Sequence, residues 1–378
     1  MDESVSRISD FHGTGFFDWQ FSTKGHLDAW NERHYDEEKY WGGFSRDPVP
    51  ADYKLPRWAI GPFEKYAGNP VFGPDKDSWD CGHFGGGSHN GGIIVKDGVF
   101  YYVYRGELPL PDKYKSDPNF DYICDIGLAT SGDGVNWKRE AGPFFRHGED
   151  AKFDFSDVSI ATKDGRYYMF INRWDWSCFN DPTRNGVFLA VSDDLYHWEK
   201  KGLLFPKAKR MHRNASVLQN PKNEAVRVDG KYVLFINDGI IAFSDDMENW
   251  ESDEMELFPG GECAFSVCDY DADNPDNVVL FTGGHHTGHF YAKGEVLLSK
   301  KNIKKPVDWL PRPVLYVEPQ YPWENGYSVD GKTPVSYWRD TVFVTHMTLH
   351  GGKWYAYYGG SEYYTCLATA PCTHRQFS

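Results

Sequence analysis

The 378-residue chain lacks the features that mark several common functional classes. It has no uninterrupted apolar stretch of the roughly 18 residues that a membrane-spanning helix needs. Its formal net charge is −15 and no run of basic residues occurs, which argues against binding to a phosphate backbone because like charges repel. Neither a membrane nor a nucleic acid is therefore an expected partner.

Cysteine and glycine motifs of cofactor sites are also missing. The seven cysteines show no CxxC spacing, which argues against a disulfide framework, and no HExxH or paired-cysteine zinc signature is present. Three consecutive glycines stand at 85–87, but no lysine follows them and no helix is predicted there, so they do not fit a phosphate-binding loop. No cofactor is expected to be required.

The N-terminal segment MDESVSRISDF is polar and acidic and does not resemble a signal peptide. This composition favours a cytoplasmic protein. A periplasmic or secreted protein whose signal peptide has been removed would look the same.

Aromatic residues, in contrast, are abundant at 17% of the chain. Aromatic faces stack on the apolar faces of sugar rings, which would suit a carbohydrate-binding protein. Cores rich in β-strands also favour aromatic residues, so composition alone leaves both explanations open.

A strand–turn–strand pattern recurs along the chain. Asp-Gly dipeptides between β-branched and aromatic residues suit two-residue hairpin turns. Their spacing is 67 residues (97 to 164) and then 65 (164 to 229). The three turns are Asp97-Gly98, Asp164-Gly165 and Asp229-Gly230.

A second shared motif follows each hairpin: an apolar strand, a Ser-Asp-rich turn and a strand with tryptophan, as in IGLATSGDGVNW. Two weaker copies come later, so a unit of four antiparallel strands occurs five times. This recurrence predicts an all-β fold, a five-bladed β-propeller, since a β-sandwich would not explain it. We assign residues 76–378 to the propeller and residues 1–75 to a short N-terminal extension that packs on the propeller or on a partner subunit of a homo-oligomer.

Polar residues at equivalent places in the units are candidate site residues, because the innermost strand of every blade begins at one mouth of the channel. Asn90 and Asp157 each lie seven residues before an Asp-Gly turn. Glu262 and Glu324 precede the fourth and fifth units, whereas Glu224 in the third is expected to be solvated. Carboxylates around an aromatic-lined funnel indicate glycoside cleavage, which needs an acid and a base.

Further polar residues are candidates for binding the sugar. His89 adjoins the first candidate strand, and Arg213 precedes the third unit. His285 and His286 lie in GGHHTGH, where hydrogen bonds to sugar hydroxyls are favoured over metal ligation. Binding of a structural divalent cation by this segment is the alternative.

These motifs, in this order, resemble the five-bladed β-propeller glycosidases, which include glycoside hydrolase families 43, 32, 117 and 130, and they resemble family 130 most. The likeness covers roughly residues 68–371. The segment HNGGIIVKDGVFYYVYRG resembles the family's Asn-Pro-Gly strand ending in Tyr-Arg, with Gly91 in place of the proline. The resemblance implies substrate-binding roles for Asn90 and Arg105.

Three later motifs extend the resemblance. The family's catalytic aspartate, in Glu-Asp-Pro-Arg, falls on Asp157. The Glu-x-x-Gly segment places its glutamate on Glu324, and the closing Tyr-Tyr-Gly-x-x-Asp places its aspartate on Glu362, which is expected to bind the sugar. The other three positions of the Glu-Asp-Pro-Arg motif hold Ser156, Val158 and Ser159.

Family 130 acts on β-mannosides and related linkages by phosphorolysis or hydrolysis with inversion. The arginine that its phosphorylases imply in the third unit is absent from VLFINDG, and a phosphate dianion needs cationic donors. The sequence thus favours an exo-acting, inverting glycoside hydrolase acting on an oligosaccharide, with Asp157 as general acid and Glu324 or Glu262 as base. An inverting β-mannoside phosphorylase and a non-catalytic sugar-binding propeller are the alternatives.

Overall fold

The computed structural model of the chain is built almost entirely of β-strands. Among the residues that it describes it contains no α-helix, only three short 3-10 helices at Trp176–Cys178, Asn237–Gly239 and Pro322–Glu324. The predicted all-β class is therefore confirmed. The described residues are 40–41, 44–45, 54–110, 122–140, 142–147, 153–178, 181–252, 254, 262–270, 273–283, 292–310, 313–338 and 340–372.

The first two repeat units are antiparallel four-stranded sheets whose strands pair in chain order. The first unit comprises β4 (Ser88–Lys96), β5 (Val99–Pro109), β6 (Tyr122–Ser131) and β7 (Lys138–Arg139). The second comprises β8 (Phe153–Lys163), β9 (Arg166–Asp175), β10 (Gly186–Ser192) and β11 (Trp198–Leu203).

The third and fourth units are joined by a short parallel pairing between their first strands, at Leu218 and Ser266. The third comprises β12 (Ser216–Gln219), β13 (Arg227–Val228), β14 (Lys231–Ile236), β15 (Ile240–Ser244) and β16 (Glu251–Ser252). The fourth comprises β17 (Glu262–Cys268), β18 (Asn277–Gly283), β19 (Gly294–Ser299) and β20 (Asp308–Trp309).

The fifth unit combines strands from distant parts of the chain. It contains β21 (Val342–His350), β22 (Lys353–Gly360) and β23 (Tyr364–Pro371), and its outer strand is β3 (Glu64–Lys65). Residues 64–65 belong to the segment assigned to the N-terminal extension, so part of that segment packs on the sheets. A separate pair joins β1 (Tyr40–Trp41) to β2 (Phe44–Ser45); the remainder of residues 1–53 lies outside the described residues.

The three Asp-Gly hairpins are present as predicted. Asp97, Asp164 and Asp229 each have a φ of 51°, and the glycines after them have φ between 78° and 81°. Positive φ at both central positions matches the right-handed twist of a two-residue hairpin, and glycine adopts it without steric cost. The backbone conformation of all three turns therefore agrees with the predicted hairpins.

The first strands of the units contact one another in a cyclic order. β4 contacts β8, β8 contacts β12, β12 pairs with β17, β17 contacts β21, and β21 contacts β4. The centre of this cycle holds the fully buried His346, whose Nε2 lies 2.8 Å from the Ile160 carbonyl and whose Nδ1 accepts from the Ile93 amide at 3.4 Å. Burial lowers the pKa of His346 to about 4, so the imidazole at the centre is neutral near pH 7.

Candidate functional site

A cavity of 280 Å³ opens where the first strands of the units begin. Its volume lies near the lower end of the range for small-molecule sites, roughly 300–1,000 Å³. Six of the predicted site residues line it together with Glu107, which sequence reasoning did not single out. The six are Asn90, Arg105, Asp157, Arg213, Glu262 and Glu362.

Asn90 and Asp157 occupy equivalent positions, as the repeat predicted. Each has positive φ, 48° and 52°, at a bulge in the first strand of its unit. The third equivalent is Asn214, with φ 51° just before β12. Asparagine and aspartate tolerate this left-handed conformation better than most side chains do, and the bulge turns them towards the cavity.

Asp157 accepts hydrogen bonds on both carboxylate oxygens. The Asn90 amide donates to Oδ1 at 2.9 Å, while the Asn172 amide and the Ser156 hydroxyl each donate to Oδ2 at 3.0 Å. Arg105 Nη1 lies 3.4 Å from Oδ1. These donors fix the carboxylate at the cavity wall, where 18% of its side chain remains exposed.

Glu107, in the cavity wall, is held by one guanidinium and two imidazoles. Arg105 Nη2 lies 2.5 Å from Glu107 Oε1, and His83 Nε2 and His89 Nε2 lie 2.6 and 3.1 Å from its oxygens. Burial by itself would raise the pKa of Glu107, but Arg105 and the hydrogen bonds from the two histidines lower it below its usual range. Glu107 is therefore an ionised counter-charge to Arg105.

Glu362 shares its neighbours with Asp157. The Asn90 amide donates its second hydrogen to Glu362 Oε2 at 3.0 Å, and Arg105 Nη1 and His89 Nδ1 each lie 3.6 Å from that oxygen. Burial raises the pKa of Glu362; His89 and Arg105 oppose the rise, and the charge of Asp157 adds to it. We call Asp157, Glu362 and Glu107, grouped around Arg105, the carboxyl cluster.

The cavity wall also carries a second arginine and another candidate carboxylate. Arg213 Nη2 lies 3.4 Å from Glu262 Oε1, and 36% of the Arg213 side chain is exposed. Behind them the buried Lys293 donates to the Glu262 carbonyl at 3.3 Å and lies over the Phe343 ring at 4.2 Å. Burial lowers the pKa of Lys293 to about 8.

Asn172 was missed although the repeat could have found it. Arg105, Asn172 and Asn237 each stand eight residues after the aspartate of their hairpin turn (97 to 105, 164 to 172, 229 to 237). Asn172 holds Asp157 and also donates to Asn214 Oδ1 at 2.7 Å. Counting forward along the second strand, as well as back along the first, would have identified it.

Aromatic residues form a rim beside the cavity. Tyr337 and Trp338 line it, and Phe84, with 59% of its surface exposed, lies 6.2 Å from the Tyr337 ring. Gly85, at φ 112°, allows this packing because an added Cβ would come within 2.2 Å of Tyr337. The adjoining Gly86 would bring a Cβ within 1.8 Å of a Glu107 oxygen. The glycine run therefore serves close packing at the rim.

Glu324 does not lie where the sequence argument placed it. It sits on a 3-10 helix, is fully buried and is not among the cavity-lining residues. Lys65 Nζ lies 2.8 Å from its Oε2, and Tyr358 donates to its Oε1 at 2.8 Å. Lys65 also lies 3.1 Å from Glu318. We call these four residues the Lys65 network; it anchors β3 and offers no base to the cavity.

Other predictions fall outside or beside the cavity. Glu224 is exposed and hydrogen-bonded to Asn220, as expected of a solvated residue. His89 is fully buried behind the cavity wall. The predicted sugar ligands His285 and His286 lie outside the described residues, as does the possible cation site between strands.

The described part of the chain holds neither a metal-binding cluster nor a helix fit to span a membrane. No group of three or more His, Cys, Asp and Glu side chains there is arranged to hold a metal ion. No described helix has the length and apolarity to cross a membrane. None of the seven cysteines forms a disulfide.

Two known enzymes are similar to this chain in sequence. No family model matches the chain. A 1,2-β-oligomannan phosphorylase from Thermoanaerobacter sp. (strain X514) is 27% identical over 282 residues, covering 72% of this chain and 86% of its own length. A β-1,2-mannobiose phosphorylase from the same organism is 25% identical over 301 residues, again covering 72% and 86%.

A solved structure supports the fold. It comes from a study showing that the GH130 family of mannoside phosphorylases contains glycoside hydrolases that target β-1,2-mannosidic linkages in Candida mannan. Its TM-score is 0.68 at 23% identity, and the match covers 84% of this chain and 95% of that one.

The fold, the carboxyl-lined cavity and these relatives together define an enzyme of carbohydrate metabolism that acts on glycosides with a propeller-type scaffold. Within that class the chain is similar to mannoside phosphorylases and to a solved structure from glycoside hydrolase family 130, the family that its motifs resemble most.

Proposed function

We propose that the protein is an exo-acting, inverting β-mannoside phosphorylase whose five units are the five blades of a propeller. The observation that carries the proposal is the match to two curated mannoside phosphorylases over 72% of the chain, with Asp157 at the cavity wall. These relatives favour phosphorolysis over the hydrolysis that the sequence motifs favoured. The substrate would be a short β-1,2-linked mannoside.

The cavity offers the groups that such a reaction needs. Asp157, with its neighbour Glu362, provides the carboxyl group that protonates the leaving oxygen, directly or through a sugar hydroxyl. Asn90 and Arg105 hold these carboxyls in place. Arg213 projects a guanidinium into the cavity with more than a third of its side chain exposed, which suits a phosphate oxygen.

The proposed reaction inverts the sugar. Phosphate attacks the anomeric carbon from the face opposite the leaving oxygen, so a β-mannoside yields α-mannose 1-phosphate and a shortened chain. Phosphate is itself the nucleophile and needs no carboxylate base. Protonation of the leaving oxygen by a positioned acid contributes about 10²–10⁴-fold to such a rate.

Hydrolysis is the second candidate, and one observation favours it. The described lining residues include two arginines but five carboxyl residues, a balance that disfavours a phosphate dianion. In this alternative Glu262, which is buried beside Arg213, is the base that activates water. The five carboxyl residues are Glu107, Asp154, Asp157, Glu262 and Glu362.

One assay distinguishes the candidates. The enzyme is incubated with β-1,2-mannobiose with and without inorganic phosphate, and the products are followed by phosphorus and proton NMR. Phosphorolysis gives α-mannose 1-phosphate only when phosphate is present. Free mannose at equal rates in both samples would replace the first candidate by the second, and no turnover of any β-mannoside would reject both.

A further inference from the structure

A short loop at the edge of the cavity is fastened to the cavity wall. We call residues 82–87 the rim loop. The His83 amide donates to the Gly86 carbonyl at 2.9 Å, which closes a turn with Phe84 at its tip. Both ends of the rim loop are hydrogen-bonded to the backbone of Glu107, at 2.9 Å each. The rim loop therefore rests on a residue that lines the cavity.

The His83 ring lies between the tip of the rim loop and the Glu107 carboxylate. Its Nε2 lies 2.6 Å from Glu107 Oε2, and its Nδ1 lies 2.9 Å from the Phe84 carbonyl oxygen. The ring stacks on Tyr122 of the cavity wall, with centroids 4.8 Å apart and 9° between the planes. Gly86 leaves room for this arrangement, because an added Cβ would come within 2.7 Å of His83 Nε2. The ring is thus held on three sides.

The two carboxylate oxygens of Glu107 have different partners. Oε1 is bound by Arg105 Nη2 at 2.5 Å and by His89 Nε2 at 3.1 Å. Oε2 is bound by His83 alone among the side-chain hydrogen bonds of the described residues. Only 2% of the Glu107 side chain is exposed. A buried oxygen without a donor is costly, so Oε2 would take another donor if His83 were removed.

Arg105 carries a donor that could be taken. Its Nε is buried and has no hydrogen-bond partner among the described residues, and the neighbouring Cys124 thiol is only a weak acceptor. Nε and Nη2 point in the same direction and match the two oxygens of a carboxylate. With Oε2 free, Glu107 would bind both donors and turn the guanidinium. Nη1 would then leave Asp157 and Glu362, which it now approaches at 3.4 and 3.6 Å.

We propose that His83 is a positioning residue for the reaction: by occupying Glu107 Oε2 it keeps the Arg105 guanidinium on the carboxyl cluster. The same ring ties this arrangement to the rim loop. The assignment rests on the proposed function, because its consequence for turnover is the placement of Asp157. It gives a role to the segment HFGGG, which does not fit a phosphate-binding loop.

Two amide variants separate the contacts of the His83 ring. The amide nitrogen of His83→Gln reaches about as far as Nε2 and can donate to Glu107. That of His83→Asn reaches about as far as Nδ1 and can serve only the Phe84 carbonyl. The control is His197→Asn, at a histidine that also bonds a carboxylate but is 90% exposed. Only His83→Asn should release Arg105.

Crystal structures of wild type and the two His83 variants without substrate test the position of Arg105. We expect Nη1 to stay beside Asp157 and Glu362 in wild type and in His83→Gln. In His83→Asn, Nε and Nη2 should bind both oxygens of Glu107, and Nη1 should leave the other two carboxyls. An Arg105 guanidinium in the same place in all three proteins would overturn the proposal.

Gly86→Ala provides a second way to part the two groups if His83→Asn does not fold. Its added Cβ would come within 1.8 Å of Glu107 Oε2 and must push it away from His83. We expect the same movement of Arg105 in a crystal structure of this variant. An Arg105 that stays in place after His83 and Glu107 have parted would also overturn the proposal.

Kinetics on two substrates distinguish positioning from a merely structural role. The leaving group of β-1,2-mannobiose needs a proton, whereas that of a 2,4-dinitrophenyl β-mannoside does not. His83→Asn should lose about 10–100-fold in kcat on mannobiose with little change in KM, and less than about threefold on the activated substrate. His83→Gln and His197→Asn should stay within about threefold of wild type on both. Equal losses of His83→Asn on both substrates would show a structural role and overturn the proposal.

The failure of this proposal and the failure of the proposed function give different results. If the wild-type enzyme cleaves no β-mannoside, the proposed function fails, while the crystal structures still decide whether His83 holds Arg105. If wild type and His83→Asn cleave mannobiose equally fast, the proposed function stands and His83 has no part in the reaction.

Discussion

The carboxyl cluster and the Lys65 network are two ways of burying an acid in one molecule. Asp157 keeps 18% of its side chain exposed to the cavity, and its neighbouring arginine is shared among three carboxyls. Glu324 is fully enclosed, and Lys65 and Tyr358 each bind one of its oxygens. Both acids accept hydrogen bonds or ion pairs from several donors. They differ in whether the carboxyl group can be reached from the cavity.

An acid proposed to serve turnover thus differs in access from an acid that stabilises the fold. A carboxyl that opens into a cavity and shares its cation can exchange its proton or its partner for a ligand. A carboxyl enclosed by its partners on every side cannot do so without breaking the fold. Variants at each region should therefore change different measurements.

The largest effect is expected for Asp157→Asn. It removes a charge at the cavity wall and offers an amide to the Asn90 and Asn172 amides. We expect kcat to fall by about 10²–10⁴-fold on β-1,2-mannobiose with phosphate, with little change in the melting temperature. Near-wild-type turnover would remove Asp157 from the mechanism.

Glu324→Gln should produce the reverse pattern. Breaking a buried ion pair leaves Lys65 without its enclosed partner, which we expect to cost about 3 kcal/mol in the free energy of unfolding measured by urea titration. Glu318→Gln, which touches the same lysine from a more exposed position, is the control and should cost under about 1 kcal/mol. A loss of kcat per folded molecule, without loss of stability, would contradict the comparison.

His346 extends the stability side of the comparison to pH. Its folded pKa, about 4, is lower than the ordinary value of 6.5, so the unfolded chain binds a proton first as pH falls. Stability is then lost between pH 6.5 and pH 4, by roughly 3 kcal/mol in total for this group. Other groups titrate in this range too, so the free energy of unfolding is measured for both wild type and His346→Gln as a function of pH. The free energy of unfolding of the variant should vary less between pH 6.5 and pH 4 than that of wild type.

Arg213→Ala tests the phosphate side of the cavity. Losing one charged hydrogen bond to a phosphate oxygen should raise the KM for phosphate about tenfold while leaving the KM for mannobiose nearly unchanged. Lys209→Ala, an exposed cation nearby in sequence, is the control. A rise in the KM for mannobiose alone would make Arg213 a sugar ligand instead.

The smallest effect is expected at the aromatic rim. Phe84→Ala should lower kcat/KM for β-1,2-linked oligomannans longer than the disaccharide by about threefold, because it removes an exposed ring that can stack on a distal sugar. Mannobiose itself should be cleaved normally. Equal effects on both lengths would place the ring against the disaccharide.

The repeat made Asn90 and Asp157 predictable, because their interval to the Asp-Gly turn is the same and hairpin register carries that interval into space. The same count failed in the third unit. There the chain leaves the sheet between β12 and β13, so the position seven residues before Asp229 is no longer at the start of the first strand. Asn214, just before β12, occupies the equivalent position instead.

The positions of Glu107 and Glu324 could not be predicted from spacing. Glu107 lies on the second strand of its unit, and nothing in the alternation distinguishes a solvent-facing glutamate from one that meets Arg105 and two histidines. Glu324 precedes β21 on a helical turn outside the strand repeat, so its place depended on packing against Lys65.

The pairing of β3 with β23 sets an order of events during synthesis. Leu367 donates its amide to Asn69 across 298 positions of the chain, and Lys65 pairs with Ala368 beside it. Residues 64–65 emerge from the ribosome early and must wait, without a partner strand, until nearly all the other strands have been made. Closing a loop of this length costs chain entropy, which slows the pairing of β3 with β23. Newly made chains should therefore carry residues 64–65 without their partner strand until β23 has been made, and that interval is when they would depend most on chaperones.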